Sequence, residues 1–128
     1  MRFMSMIKAD KNSEAGVPPD PKLMAAIGEY SQEMMKSGVV VNVGGLAPSS
    51  EGTRIRASAG KLEQIDGPFA ETKELIAGFA VIEAKSKEEA IEHGRRFLKI
   101  HQDVLGPSWE GVVEIRQLFA PDDPGYCQ

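Results

Sequence analysis

Apolar and polar residues alternate along this chain with two different periods. Four stretches rich in β-branched and other apolar residues are typical of strands: residues 3–9, 39–43, 78–84 and 112–119. Two shorter stretches, 53–58 and 61–65, flank Ala59-Gly60 and predict a β-hairpin with a tight turn. The sequence therefore predicts four core strands and one separate hairpin.

Two segments have the apolar spacing of a helix. In the first, apolar residues recur every three or four positions between Asp20-Pro21, which suits a helix start, and Gly38, which suits its end. In the second, Ser86 and Glu89 form the S-x-x-E pattern of a capping box. We expect the helix that follows this box to run to about Ile100.

The predicted order is β-α-β-hairpin-β-α-β, which is the split βαβ arrangement of a ferredoxin-like α+β fold with an inserted hairpin. The length of 128 residues fits a single domain. We expect that domain to cover residues 1–120, with a loose tail at 121–128. Residues 9–19 and 44–52 have the composition of loops, and residues 69–76 predict one helical turn.

Alternation along the predicted strands divides their side chains between two faces of the sheet. The face that meets the helices is expected to carry Phe3, Ser5, Ile7, Val39, Val41, Val43, Val113 and Ile115. The opposite face is expected to carry Met4, Met6, Lys8, Asp10, Val40, Asn42, Val112, Glu114 and Arg116. Because part of this second face is apolar, we expect a symmetric homodimer to cover it. A monomer whose hairpin or tail folds over that face is the alternative.

The overall charge is mildly acidic, with a formal net charge of −4 and a pI of about 5.2. Because the Lys and Arg residues are scattered among acidic ones, nucleic-acid binding is not expected. No apolar run reaches the roughly 20 residues that span a membrane, and the N-terminus lacks the apolar core of a signal peptide. The single cysteine, Cys127, cannot form an intrachain disulfide, so we expect a cytoplasmic protein.

The two histidines give no clear catalytic or metal-binding signal. His93 and His101 lie eight positions apart, on or just after the second predicted helix, so we expect each to face solvent or to end the helix. No spaced cluster of ligands and no phosphate-binding loop is present, so we expect neither a metal nor a cofactor. One hypothesis gives His101, Asp103 and Trp109 the role of a lid specific to this chain.

The most specific motif is the run Asp66-Gly67-Pro68-Phe69-Ala70-Glu71-Thr72-Lys73-Glu74. Asp66 can accept backbone N–H groups, Gly67 permits a positive φ and Pro68 fixes the exit, which together favour a rigid structural turn. If Pro68 begins a helical turn, the free N–H groups there offer an alternative role in holding a small anion or carboxylate.

This run resembles the signature of the DGPF family within the YCII-related proteins. Further matches are Met1 to Met4 with Lys8 and Asp10, Gly38 to Val40, Gly45 to Pro48, Gly78-Phe79, Ser86 to Ile91 and Val113 to Arg116. The similarity covers roughly residues 1–119 and implies a dimeric α+β barrel. It also implies that some relatives are enzymes with a His/Asp pair in a cleft, and that some DGPF proteins accompany sigma factors. Neither histidine of this chain lies near the first strand or the signature.

Competing functions remain open at this point. In the first, a homodimer binds a small polar or acidic ligand in a cleft at its dimer-facing sheet surface, with acid/base catalysis as an option. The candidate ligand-binding residues are Lys8, Asp10, Asn42, Asp66, Glu71 and Arg116. In the second, the protein is a non-catalytic interaction module, for example one linked to transcriptional regulation by a sigma factor. A structural dimer with a vestigial pocket is the third.

Overall fold

A computed structural model describes residues 1–124 of the chain. In chain order, its strands are β1 (Arg2–Lys8), β2 (Val40–Gly45), β3 (Thr53–Ser58), β4 (Lys61–Asp66), β5 (Ile76–Glu83) and β6 (Val113–Gln117). Its helices are α1 (Lys11–Glu14), α2 (Pro21–Lys36) and α3 (Lys87–Leu105), with 3₁₀ turns at Ser49–Glu51 and Thr72–Glu74. None of the helices within these residues is long and apolar enough to cross a bilayer. Cys127 and the end of the predicted tail lie outside the described residues.

Strands β2, β5, β1 and β6 form one antiparallel sheet in that order, and β3 pairs only with β4. This arrangement confirms the prediction of a mixed α+β chain and is consistent with the ferredoxin-like pattern. The hairpin turns at Ala59 and Gly60, whose φ angles of 52° and 75° are those of a tight two-residue turn. Dimerisation and barrel closure stay predictions.

The loop predicted after β1 begins with a short helix instead. The N–H of Ser13 donates to Asp10 Oδ1 at 2.8 Å, and the N–H of Asp10 donates to Ser13 Oγ at 2.9 Å. These reciprocal bonds form a capping box that starts α1. Asp10 therefore caps a helix beyond the end of β1, rather than lying on the outer sheet face as the alternation predicted.

Helix α3 begins as predicted and ends later. At its start, the N–H of Glu89 donates to Ser86 Oγ at 3.2 Å, whereas the Glu89 carboxylate accepts the N–H of Lys85 at 3.0 Å rather than that of Ser86. The helix passes the predicted end at 100 and continues to Leu105. Gly106 follows with a φ of 98°, a conformation that favours glycine and ends the helix.

Strand β2 contains a bulge that the alternation could not show. Val40 pairs with Ile82 and Asn42 pairs with Val81, so Val41 is an extra residue in the ladder. Because Ile82 belongs to the buried core, Val40 lies on the helix face and Val41 is exposed. Both assignments are the reverse of the sequence prediction, whereas Asn42 keeps its predicted outer position.

The core is concentrated where β1 begins, β5 ends and α3 starts. Its buried cluster is Phe3, Ile82, Ala84 and Ala90, with Val39, Val40, Ala80 and Ile115 packed against it. Helix α2 adds two buried side chains, Leu23 and Met34. These side chains fill one end of the space between the sheet and its helices, and the rest of that space stays open.

The outer face of the sheet is part apolar and part charged, as predicted. Met4 lies opposite Arg116 and Met6 lies opposite Glu114, and both methionines are half-buried. Lys8 Nζ lies 3.2 Å from Glu114 Oε1, which places the two charges on this same face. The outer face therefore combines a methionine pair with a row of charged side chains along β1 and β6.

The hairpin of β3 and β4 extends away from the main sheet. Every residue of both strands is exposed, including Ile55 at 74% and Leu62 at 78%. Ala57 pairs with Leu62, and Ile55 lies two positions before Ala57, so the three apolar side chains share one hairpin face. This face is a second apolar surface that a single subunit leaves open to water.

Candidate functional site

A cavity of about 720 Å³ lies between the main sheet and helices α2 and α3. The sheet side of the cavity, called its floor below, includes three small residues. Ser5, Gly78 and Ala80 are neighbours there, on the helix face of β1 and β5. Serine, glycine and alanine leave room that larger side chains would fill. The cavity thus lies on the helix side of the sheet, opposite the face where the sequence predicted a ligand.

The walls of the cavity come from one stripe on each helix. Helix α2 contributes the predicted apolar stripe of Leu23, Ile27, Tyr30 and Met34. Helix α3 contributes His93, Phe97 and His101. Residues 16–19 and 43–46 border it where β1 and β2 end. Among the lining residues in the described part of the chain, there is no Lys, Arg, Asp or Glu.

His101 is the most buried polar residue of the site, with 5% of its surface exposed. Its Nδ1 lies 2.9 Å from the carbonyl oxygen of Phe97, and because a carbonyl only accepts, Nδ1 must carry the proton. In the neutral ring, Nε2 then carries the lone pair. The imidazole also stacks on the Trp109 indole, with centroids 4.7 Å apart, and meets the Phe97 ring edge-on at 4.8 Å.

His93 lies one helical turn before Phe97 on the same face of α3. Its side chain is 14% exposed, and neither ring nitrogen has a hydrogen-bond partner among the described residues. The nearest carboxylate oxygen, Glu89 Oε1, is 4.0 Å from Nε2, while the other oxygen of Glu89 is bonded to the N–H of Lys85. A buried polar group without a partner is costly in a folded protein and marks a position where a ligand can bind.

Tyr30 brings a hydroxyl group to the cavity from α2. Burial raises the pKa of the Tyr30 phenol, and the nearby Arg96 guanidinium opposes part of that rise. The phenol therefore keeps its proton throughout the neutral pH range.

The prediction that both histidines face solvent or end a helix is wrong. His93, Phe97 and His101 follow each other at intervals of four residues, and this spacing keeps them near one face of a helix. A separation of eight residues is about two helical turns, so the sequence itself places His93 and His101 near one face of α3. Of the hypothetical lid, His101 and Trp109 are in contact, whereas Asp103 pairs with Lys99 at 2.8 Å on the exposed face.

The six predicted ligand-binding residues do not line this cavity. Lys8 pairs with Glu114, Asp10 caps α1, and the side-chain oxygen of Asn42 accepts the N–H of Val43 at 2.9 Å. No hydrogen bond or ion pair joins any two of the six within residues 1–124. Their role in binding a ligand at the dimer-facing surface stays a prediction.

The remaining three of these residues are exposed. Asp66 accepts hydrogen bonds from Gln64 Nε2 at 3.2 Å and Thr53 Oγ1 at 3.0 Å, and these bonds lower the pKa of its carboxyl. Glu71 and Arg116 make no side-chain hydrogen bond with the described residues. Asp66 therefore stabilises the open end of the hairpin, where β3 begins and β4 ends.

The signature motif acts as a structural turn in this subunit. A Cβ atom at Gly67 would lie 1.7 Å from the carbonyl oxygen of Ser49, so only glycine fits there. Gly67 does not have the positive φ that the sequence predicted, and the close backbone approach is the reason for glycine. The N–H of Phe69 donates to Ser49 Oγ at 3.0 Å, and the Arg54 guanidinium lies 3.8 Å from the centre of the Phe69 ring.

Ser49 also connects this turn to α1. Its N–H donates to Glu14 Oε2 at 2.7 Å and its hydroxyl donates to Glu14 Oε1. The hydroxyl bond and the backbone bond together lower the pKa of Glu14. One carboxylate therefore holds the 3₁₀ turn that supports the signature.

The fold and the site define a small α+β domain with an antiparallel sheet, two covering helices and an apolar cavity between them. The YCII-related domain model matches residues 1–104, and the chain belongs to that family. Strand β6 lies beyond the matched residues, although it pairs with β1 in the same sheet. Within residues 1–124, no three His, Cys, Asp or Glu side chains converge as metal ligands do.

One curated relative is an uncharacterised protein of Rhizobium meliloti (strain 1021). The two sequences are 34% identical over 76 residues, which is 59% of this chain and 61% of the relative. The chain therefore aligns with about three fifths of that relative's length. The narrower resemblance to the DGPF proteins stays a prediction.

Proposed function

We propose that this protein is a homodimer that binds a small organic molecule in the cavity between the sheet and its helices. The observation that carries the proposal is the cavity itself. Its volume of about 720 Å³ is in the range of sites that enclose a metabolite-sized ligand. Its walls are apolar, with a few polar groups from Tyr30, His93 and His101, which is the usual composition of such sites.

The surface area of the subunit supports the dimer. The accessible surface is 9214 Å², about 2,500 Å² more than the roughly 6,700 Å² expected of a compact monomer of 13.9 kDa. Part of this excess is cavity wall, and the projecting hairpin and the outer sheet face also contribute. A stable interface buries about 800 Å² or more on each partner, so a dimer accounts for an excess of this size.

The polar or acidic ligand predicted from the sequence would bind at a different surface, the outer face of the sheet. Lys8, Asn42 and Arg116 point away from the helices, so they would form a cleft only when a second subunit covers the outer face. That cleft, and acid/base catalysis in it, are proposals that depend on the dimer. The helix-side cavity exists within one subunit and does not depend on it.

A cavity-filling variant tests the binding proposal. We expect a thermal-shift screen of neutral aromatic and aliphatic compounds to give hits with the wild type, and Ala80→Leu to lose them because its side chain fills the floor. Ala25→Leu makes the same change on the exposed face of α2 and should keep the hits. No hit with a folded wild type, or hits that Ala80→Leu retains, would contradict the proposal. Light scattering tests the dimer separately, and a monomeric mass would exclude it.

The exposed hairpin favours a second candidate function, a non-catalytic interaction module. Ile55 and Leu62 are 74% and 78% exposed on one hairpin face, which offers an apolar contact to another protein. A sigma factor or another regulatory protein would be such a partner. The double variant Ile55→Ser, Leu62→Ser distinguishes a contact with another protein from a contact within the homodimer. Loss of a captured partner with the dimer intact supports the interaction module. Loss of the dimer assigns this hairpin face to the homodimer.

A further inference from the structure

The charge balance of the cavity restricts what can bind in it. No Lys, Arg, Asp or Glu is among its lining residues in the described part of the chain. A carboxylate or an ammonium group placed there would lose its hydration without meeting an opposite charge among the lining residues, which is strongly unfavourable. The charged groups Glu89, beside His93, and Arg96, beside Tyr30, do not line the cavity. An uncharged molecule with a mostly apolar body avoids that cost and gains contacts with the stripe on α2 and with Phe97.

Two polar groups of the cavity wall, those of His101 and Ser13, already have hydrogen-bond partners. The Nδ1 of His101 is bonded to the carbonyl of Phe97, and its ring lies between Phe97 and Trp109. The hydroxyl of Ser13 is bonded to Asp10. These groups form the wall, and their hydrogen bonds fix the side chains in place.

His93 differs because both of its ring nitrogens are buried without a hydrogen-bond partner among residues 1–124. A neutral imidazole has one N–H donor and one acceptor nitrogen. A hydroxyl group can satisfy either nitrogen, and a carbonyl oxygen can satisfy the donor. Because the ring lines the cavity, the missing partner can come from a molecule bound there.

We propose, on the basis of the cavity function proposed above, that the ligand is an uncharged molecule with an apolar ring or alkyl body and a hydroxyl or carbonyl oxygen that hydrogen-bonds to His93. The apolar body packs between the sheet floor and the two helical stripes. The oxygen atom supplies the partner that the imidazole lacks. This pairing selects neutral oxygenated molecules over hydrocarbons, acids and amines of the same shape.

Probes that share one ring system test this selection: naphthalene, 2-naphthol, 2-naphthoate and 2-naphthylmethylammonium. At about pH 7 the acid and the amine are ionised and the naphthol is neutral. We expect wild-type protein to bind 2-naphthol about tenfold more tightly than naphthalene, as one buried hydrogen bond predicts. Binding of the two ionised probes should be weaker than that of 2-naphthol by at least about the same factor, because they lose their hydration in the cavity. Loss of this binding in Ala80→Leu would assign the probe to the cavity.

Two substitutions test the role of His93. In His93→Leu the preference for 2-naphthol over naphthalene should fall about tenfold, and His93→Gln, which keeps a donor and an acceptor, should retain part of it. Circular dichroism establishes that both variants fold, and the wild-type series decides the charge selection even if one does not.

The failures of the two proposals are distinguishable. If neither these probes nor the compound screen bind the folded wild type, the cavity function itself is wrong. If 2-naphthoate or the ammonium probe binds as tightly as 2-naphthol, the cavity function stands and the inference of a neutral ligand is overturned. If His93→Leu keeps the full preference for 2-naphthol, His93 is not the recognition group.

Discussion

The imidazole of His101 stacks on the indole of Trp109, with ring centroids 4.7 Å apart and planes inclined by 23°. Trp109 is the single tryptophan of the chain, so its fluorescence reports on this wall of the cavity. We expect His101→Ala to expose one face of the indole and to move its emission to longer wavelength. The lost stacking and hydrogen bond should lower the free energy of unfolding by about 1–3 kcal/mol.

The other histidine of the cavity wall, eight residues before His101 on the same face of α3, provides the control for this measurement. His93 lines the cavity but has no ring contact with Trp109, so His93→Ala should leave the emission wavelength unchanged. An equal shift in both variants would mean that a general loosening of α3, rather than the stacking contact, controls the environment of the indole.

Gly67 and Gly28 form a contrasting pair of glycines. A Cβ atom at Gly67 would overlap the backbone carbonyl of Ser49, so Gly67→Ala must displace the signature turn and should destabilise the fold by about 3 kcal/mol. In helix α2, a Cβ atom at Gly28 would meet nothing within 4 Å, so Gly28→Ala should stabilise it by about 0.5–1 kcal/mol. Urea unfolding of both variants measures the difference, and equal effects would refute the steric explanation.

The order of the six strands and of helices α2 and α3 was predictable because each of these elements depends on nearby residues. The stripe from Leu23 to Met34 predicted α2, and Ala59-Gly60 predicted the hairpin turn, since spacing and turn chemistry act over a few positions. The bulge at Val41 depends on the partner strand β5, so the sequence of β2 alone gives no sign of it. The cap at Asp10 used a serine three residues later, a weaker signal than the Glu or Gln of the usual box.

The cavity was less predictable than the strands around it. Its floor exists because Ser5 and Ala80 are directly opposite each other in neighbouring strands, a pairing that only the register determines. The predicted polar residues belong to the outer face and to the signature motif, because charged side chains such as Lys8 and Asp66 indicate chemistry directly in the sequence. An apolar site contains no charged residues that would indicate it in the sequence. His93 lies among the charged residues of α3, so its position in the sequence suggests a solvent-facing side chain.

Because of the Glu14 carboxylate, the free energy of unfolding should decrease as the pH falls through the acid range. Hydrogen bonds from Ser49 lower the pKa of Glu14 from its ordinary value of 4.5, so the folded state favours the ionised form. The stabilisation is present above the ordinary pKa and is lost as the pH falls through the lowered value. Glu14→Gln should therefore lower the urea midpoint at neutral pH, and the difference from wild type should shrink on acidification.

An exposed carboxylate nearby gives the matched comparison. Glu51 lies in the same 3₁₀ turn as Ser49 and makes no side-chain hydrogen bond with the described residues, so Glu51→Gln should leave the urea midpoint at neutral pH close to that of wild type. A constant difference between Glu14→Gln and wild type across the acid range would show that the ionised state of Glu14 is not what stabilises the turn.

Met6 tests the proposed dimer surface. It lies opposite Glu114 on the outer face, so Met6→Asp places two like charges together where the partner subunit would exclude water. We expect the dimer to weaken at least about 100-fold, since an unpaired carboxylate in an interface costs several kcal/mol. Met35→Asp, at an exposed position of α2, should leave the mass unchanged in light scattering. A dimer that survives Met6→Asp would place the interface elsewhere.

Because of the Tyr30 phenol, the free energy of unfolding should decrease as the pH rises through the alkaline range, whereas the effect of Glu14 appears as the pH falls. Burial raises its pKa above the ordinary value of 10.0, so the folded protein holds the phenolic proton more tightly than the unfolded chain does. The unfolded state therefore ionises first: the stabilisation is complete below the ordinary pKa and is lost as the pH rises through the raised one.

Tyr30→Phe removes this titration, so the variant should lose less stability than wild type on going from neutral to alkaline pH. Urea unfolding across that range measures the loss, and the near-ultraviolet absorption of tyrosinate follows the ionisation directly. The difference between the absorption titrations of wild type and Tyr30→Phe isolates the ionisation of Tyr30, because Tyr126 is the other tyrosine of the chain. Parallel stability profiles for the two proteins would contradict a raised pKa for Tyr30, and would mean that hydration or the Arg96 guanidinium offsets the effect of burial.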